Sequence, residues 1–321
     1  MLMVIRYDIP MLSPKDVDLV IAHGQCPDGF GAAWSAWSMH GDEIEYYFPV
    51  HKREIDISEV PDVTGKNVLM VDFAYSNIDF MNELNQKANN MLVLDHHKQN
   101  RDDLEGKIDC DHIFDMNRSG ARMAWDFFYP GLEPPLLIKY IEDGDLWRWK
   151  HAGSRDFLAA MNSYPQTFEN YEWISLLHGN SLTNFFNEGA AIRRYRDNVV
   201  AKMVEMAVPG DFITPDGQRH LCFAVNCPSK DIVSDVGNKL AYHNIISFMW
   251  GYEHGEKEYF ASLRSVGEID VAAIAKQFGG GGHLNASGFS FSGQISDVFL
   301  PYDKKMSKRF QSIIDKNLSL P

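Results

Sequence analysis

The spacing of apolar residues changes character twice along this chain, and the changes divide it. VDLVIAH (17–23), KNVLMVDFA (66–74) and NMLVLDHH (90–97) are short, nearly unbroken apolar runs of strand length. EIEYYFPV (43–50) and KIDCDHIFD (107–115) add two more strands. GFGAAWSAWSMH reads as a helix between the first two strands, and a second helix is predicted over roughly 77–89. Alternation of helices with buried strands predicts a parallel, doubly wound sheet covered on both faces.

From Ser119 to about Ala207 the apolar spacing becomes three and four, as in helices. GARMAWDFF, PPLLIKYIEDGDLW and NEGAAIRRYRDNVVAKMVEMA carry this pattern, and Pro209-Gly210 reads as the stop before the turn-like TPDGQR. Beyond it come strand HLCFAVN, helix DIVSDVGNKLAYH, and strands NIISFMWGY and KEYFASLRS. Helix IDVAAIAKQF, a glycine run, strand ASGFSFS and a terminal helix over KKMSKRFQSIIDKNLSL follow. The expected organisation is an α/β domain over 1–130, a helical connector over 131–209, and a smaller α/β domain with a mixed sheet over 210–321.

Composition narrows the partners. The 321 residues are 45% hydrophobic and 23% charged, as in a folded globular protein. With 30 Lys and Arg against 44 Asp and Glu, the net charge is −14, which repels long duplex nucleic acid. Small phosphorylated substrates stay compatible, because bound divalent cations and a few placed arginines reverse the sign locally. No apolar run approaches the ~18 residues of a membrane span, and MLMVIRYDIP lacks the features of a signal peptide. A cytoplasmic protein without membrane contact is expected, with a homodimer open to it. The four cysteines, Cys26, Cys110, Cys222 and Cys227, form no CxxC pair, so reduced thiols are expected.

Candidate chemistry gathers where the strands end. His23 and Asp28 follow the first strand, Asp72 follows VLMV, and Asp95, His96 and His97 close MLVLDHH. In an open parallel sheet the carboxyl ends of the strands line one crevice. Carboxylates brought so close repel one another and call for a cation, and an Asp/His mixture suits transition metals better than calcium.

Six segments occur in a telling order: HGQCPDGFGAAW, VDFAYS, LDHHK, YIEDGDLW, SLRS and GGGGH. In this the chain resembles the DHH phosphoesterase superfamily, in the branch with a C-terminal DHH-associated domain that includes RecJ-type exonucleases, nanoRNases and exopolyphosphatase-related proteins. The resemblance implies two divalent metal ions, manganese or cobalt, held by His23, Asp28, Asp72, His97 and one acid of YIEDGDLW, with Asp143 favoured over Asp145. It further implies that Asp72 bridges the metals, that His96 faces the scissile phosphate and that Asp95 orients a histidine. The expected reaction is hydrolysis of phosphoanhydride or phosphodiester bonds in short substrates, with short-chain polyphosphate first. The alternatives are a phosphodiesterase acting on short oligoribonucleotides, pAp or cyclic nucleotides, and a degenerate phospho-ligand binding protein.

Cys26 departs from the family pattern by occupying the slot of an acid in the first motif. Either it is a small buried filler or its thiolate binds or neighbours one metal. In the C-terminal domain, four consecutive glycines are expected to stand outside strand and helix interiors, where Gly280, Gly281 and Gly282 with His283 can present amides to an anion. Arg264, followed by Ser265, is the expected guanidinium for a bidentate phosphate contact. Asn226, at a strand end, is a weaker substrate contact. Ser119 starts a helix whose amides either receive a phosphate or are simply capped by its own side chain.

Overall fold

The computed structural model describes residues 12–24, 26–49, 60–303, 307 and 310. Two compact units divide the chain, Met1–Arg193 and Arg194–Pro321. The first is built on strands β1 (Leu19–Ala22), β2 (Glu45–Tyr47), β3 (Asn67–Val71), β4 (Asn90–Asp95) and β5 (Asp111–Phe114). All pair in parallel, in the order β2-β1-β3-β4-β5. Alternate residues of the same strands feed two cores, as a period of two requires. Leu19, Ile21, Val68, Met70 and Val93 pack on Phe80, Met81 and Leu84 of helix α2, which spans Ile78–Lys87. Val20, Ala22, Leu69, Val71, Leu92 and Leu94 face the opposite side. There they meet Ala32, Ala33 and Ala36 of α1 (Pro27–His40) and Met123, Ala124 and Phe128 of α4 (Gly120–Phe128), while α3 (Lys98–Leu104) follows β4.

The segment expected as a connector folds largely onto this unit. Helices α5 (Leu136–Asp145), α6 (Ser154–Met161) and α7 (Phe168–Ser175) share one apolar cluster with Phe30 and Trp34 of α1. The division between units falls inside the long helix α8 (Gly179–Glu205) rather than at Pro209.

The second unit is a seven-stranded mixed sheet ordered β10-β11-β9-β8-β7-β6-β12. Its strands are β6 (Val208–Ile213), β7 (Arg219–Asn226), β8 (Ile246–Glu253), β9 (Glu258–Arg264), β10 (Gly281–His283), β11 (Ala286–Phe291) and β12 (Phe299–Pro301), with helices α9 (Val233–Leu240), α10 (Val271–Lys276) and α11 (Ile295–Val298). Only β7 and β8 run parallel. Two local expectations are corrected. Pro209-Gly210 is no stop but lies within β6, opposite Phe223 and Cys222 of β7. The glycine run does enter a strand: Gly281–His283 forms the edge strand β10 against β11. Edge position tolerates glycine, and close packing requires it, since a Cβ on Gly280 would lie 2.2 Å from the Gly288 carbonyl oxygen. The expected terminal helix lies mostly outside the described residues. Among the described residues no helix is long and apolar enough to cross a membrane.

Candidate metal centre

Strand register delivers the first three ligand candidates to one level. Ala22 pairs with Val71, and Val71 pairs with Leu94, so His23, Asp72 and Asp95 are the next residues along three adjacent strands. Asp72 is the pivot. Its φ is +56°, a left-handed conformation that costs a non-glycine residue ~1–3 kcal/mol and is retained where the surroundings over-determine it. Gly120 permits this placement, because a Cβ there would stand 2.4 Å from the Asp72 Cβ.

The two oxygens of Asp72 look in different directions. Oδ1 lies 3.1 Å from His96 Nε2, and Oδ2 lies 3.7 Å from His23 Nδ1. Asp72 joins three donor trios, His23–Cys26–Asp72, Asp28–Asp72–His96 and Asp72–Asp95–His97, the ligand atoms of each within 4.8 Å of one another. Asp72 and Asp28 are each only 1% exposed, and Asp72 Oδ2 takes no hydrogen bond. A buried carboxylate oxygen without a donor is costly unless a cation completes it. The donor set therefore fits divalent metal ions.

Asp28 has a second task. Its Oδ2 accepts from the Gly120 amide at 2.6 Å and its Oδ1 from the Ala121 amide at 3.0 Å. These are the orphan donors at the N-terminus of α4, so the carboxylate sits at the positive end of the helix dipole. The amides weighed as a phosphate site are thus engaged within the protein. Ser119 caps the same helix, its Oγ accepting from Arg122 N at 3.3 Å.

Asp95 fixes the histidines. Its Oδ1 accepts the backbone amides of His96 and His97, at 2.7 and 3.2 Å, and lies 2.7 Å from His97 Nδ1. Its Oδ2 accepts from Asn100 Nδ2 at 2.6 Å. Nδ1 of His97 faces Asp95, the arrangement by which an outer carboxylate orients a metal-binding imidazole.

The two acids of α5, Asp143 and Asp145, part company. Asp143 turns away to accept the amides of Lys150 and His151 at 2.8 and 3.1 Å, closing the loop before α6. Asp145 instead reaches within 3.5 Å of His96 Nε2. Two residues on, Trp147 is 39% exposed at φ +53°, edge-on to Trp149 with ring centroids 5.0 Å apart. The Arg155 guanidinium stands 4.0 Å from the Trp149 ring centre and 5.8 Å from that of Trp147. A cavity of about 320 Å³ adjoins this group, lined by Trp149, His151, Gly153, Ser154, Arg155 and Arg193 among others.

Electrostatics mark the cluster as short of positive charge. Burial, then Asp72 and Asp145, push the Asp28 carboxyl well above the carboxylate range. Burial alone would lower the His96 pKa, but the Asp72 hydrogen bond and the charges of Asp145, Asp72 and Asp28 raise it well above its ordinary value. His97, likewise opposed by burial, is raised to about 9 by Asp95. Imidazolium protons thus occupy the electrostatic position that divalent cations would take over.

The DHHA1 domain family matches residues 228–311. Uncharacterized protein R106 of Acanthamoeba polyphaga mimivirus is 32% identical over 310 residues, covering 92% of this chain and 72% of the relative. The chain belongs to the DHH phosphoesterase superfamily, with a C-terminal DHHA1 domain. Among solved structures, the DHH domain of a member of the S1p family of ribosomal proteins shares the fold, with TM-score 0.53 and 14% identity over 96% of this chain and 88% of that one. A pGpG-specific phosphodiesterase, PggH from Vibrio, aligns over 94% of this DHH protein and 99% of its own chain at 13% identity and TM-score 0.45.

Within the DHHA1 unit, Arg264 is half-buried and donates to the carbonyls of Leu263 and Ser287 and to Ser234 Oγ. Burial among these neutral partners lowers its pKa to about 10. Ser265 Oγ donates to Ile269 O and accepts from Asn285, while Asn226 donates to Trp250 O. Gly280, Gly281, Gly282 and His283 sit at the sheet edge described above. Sequence reasoning missed Asn100 as a partner of Asp95, and missed that Gly120, distant in sequence, makes room for Asp72.

Proposed function

We propose that this DHH protein is a two-metal phosphoesterase acting on short nucleotidic phosphodiesters. The observation that carries the reading is Asp72, a strained, buried carboxylate with Oδ1 3.1 Å from His96 Nε2 and Oδ2 3.7 Å from His23 Nδ1. In this reading His23 and Asp72 serve one ion, and Asp72, Asp28, His97 and Asp145 the other, with manganese or cobalt as the ions. Two ions held there lower the pKa of water and clamp phosphoryl oxygens during in-line displacement. The chain's own groups do the rest. Asp95 keeps the His97 ring in place, Asp28 is anchored by the α4 amides, and His96 would donate to a phosphoryl oxygen.

Polyphosphate, the first expectation, needs only cationic contacts. Trp147, Trp149 and Arg155, beginning two residues after Asp145, favour a substrate that also carries a base, because every base offers a face for stacking. In the DHHA1 unit, the half-buried Arg264, with neutral partners, favours an anionic ligand. The test is release of phosphate or mononucleotide from short polyphosphate, dinucleotides, pAp and cyclic nucleotides, each with manganese, cobalt, magnesium and zinc. The reading expects turnover of nucleotidic substrates and loss of all turnover in Asp72→Ala. Preference for polyphosphate would restore the first expectation, and binding of phosphorylated ligands without any turnover would favour a degenerate binding protein.

A further inference from the structure

Resting on that two-metal reading, we infer that Cys26 is itself a metal ligand, so that one ion is held by His23, Cys26 and Asp72 and the centre is biased toward thiophilic metals. The other three cysteines lie in apolar cores, each at most 5% exposed, beside residues such as Leu104, Phe248 and Val225. Cys26 belongs to none of those clusters and is partly exposed. It holds the N-cap position of α1, where Ser, Asp or Asn would accept an amide hydrogen bond, yet its side chain makes no capping bond. Its Sγ lies instead within 4.8 Å of ligand atoms of His23 and Asp72. The independent sign of a ligand is Asp72 Oδ2, an oxygen of a 1%-exposed residue that takes no hydrogen bond and points to this same trio.

The donors proposed for the other ion, Asp28, Asp72, His97 and Asp145, contain no sulfur, so the two sites differ in softness. Hard manganese suits carboxylates, whereas a thiolate favours cobalt, iron or zinc. On binding, the thiol proton passes to solvent as the metal–sulfur bond forms.

Cobalt(II) titration of the metal-stripped full chain tests this without relying on activity. The expected result is uptake of two cobalt ions with a thiolate-to-cobalt charge-transfer band in the near ultraviolet. That band should vanish in Cys26→Ser. In Cys26→Asp, which restores a carboxylate, the ratio of cobalt to manganese affinity should fall by about tenfold or more, the scale on which ligand-shell changes act. Two bound cobalt ions without the band, or a band that survives in Cys26→Ser, would overturn the assignment while leaving the two-metal reading intact. Failure of the native chain to bind cobalt at all would remove both. If Cys26→Ser does not fold, the native band and the Cys26→Asp affinity ratio still decide.

Discussion

Replacing Gly120 with alanine puts a methyl group where Asp72 already is. The added Cβ would meet the Asp72 Cβ at 2.4 Å, Cγ at 2.9 Å and Cα at 3.0 Å, and contacts under 3.0 Å are essentially never seen. Asp72 or the start of α4 must therefore move by roughly 0.6 Å, and neither is free to do so. Asp72 is held by its amide on Leu94 O, at 2.9 Å, and α4 by the Asp28 carboxylate. Overpacking of this kind costs ~1–3 kcal/mol of stability. Its effect on function is expected to be larger, since a misplacement near 1 Å at a reacting centre can cost ~10²-fold in rate. The assay is kcat and metal affinity of Gly120→Ala, with circular dichroism to confirm folding. We expect a folded protein, kcat lower by about 10- to 100-fold, and weaker binding of both ions. A folded variant with native kcat and native metal affinity would refute the view that Asp72 placement controls the centre.

Further tests separate roles that lie close in sequence. Asp145→Asn is expected to weaken metal binding by about 10-fold or more with little loss of stability. Asp143→Asn is expected to lower stability by ~1–3 kcal/mol, by depriving the Lys150 and His151 amides of a charged acceptor, with a smaller effect on metal affinity; the reverse pattern would reinstate Asp143 as the ligand. Trp147→Ala should raise KM for dinucleotides while leaving small aryl phosphodiesters unaffected, and equal effects on both would remove the stacking role. For pH, His97 is raised from 6.5 to about 9 in the folded chain. Its stabilisation of the metal-free protein is therefore fully present below about 6.5 and lost as pH rises through about 9, so Tm of the chelator-treated protein should fall across that window. Over the same window manganese affinity should rise, because the ion competes with the His97 proton; a pH-independent affinity would contradict this.

Period and register explain what could be read without coordinates. Unbroken apolar runs ending in His23, Asp72 and Asp95 can only be central parallel strands, and level strand ends bring those residues together. Less accessible was anything settled by contact across long sequence separations. Asp28 meets the α4 amides 92 and 93 residues away, a pairing no local pattern encodes. Asp143 and Asp145 are both polar endings to one helical pattern, and only the free amides of Lys150 and His151 decide which turns aside. Glycine's poor strand propensity argued against β10, but β11 approaches so closely at Gly282 that a Cβ there would lie 2.5 Å from the Ala286 carbonyl oxygen.

Metal stoichiometry tests the central claim most directly. Native mass spectrometry and calorimetry on the chelator-stripped full chain should show two manganese or cobalt ions bound per chain. In Asp72→Asn, where both proposed sites lose an anionic oxygen, affinity at both should fall together by about 10-fold or more. A native stoichiometry of one or none, or an Asp72→Asn variant that binds two ions with unchanged affinity, would contradict a centre built on a single shared carboxylate.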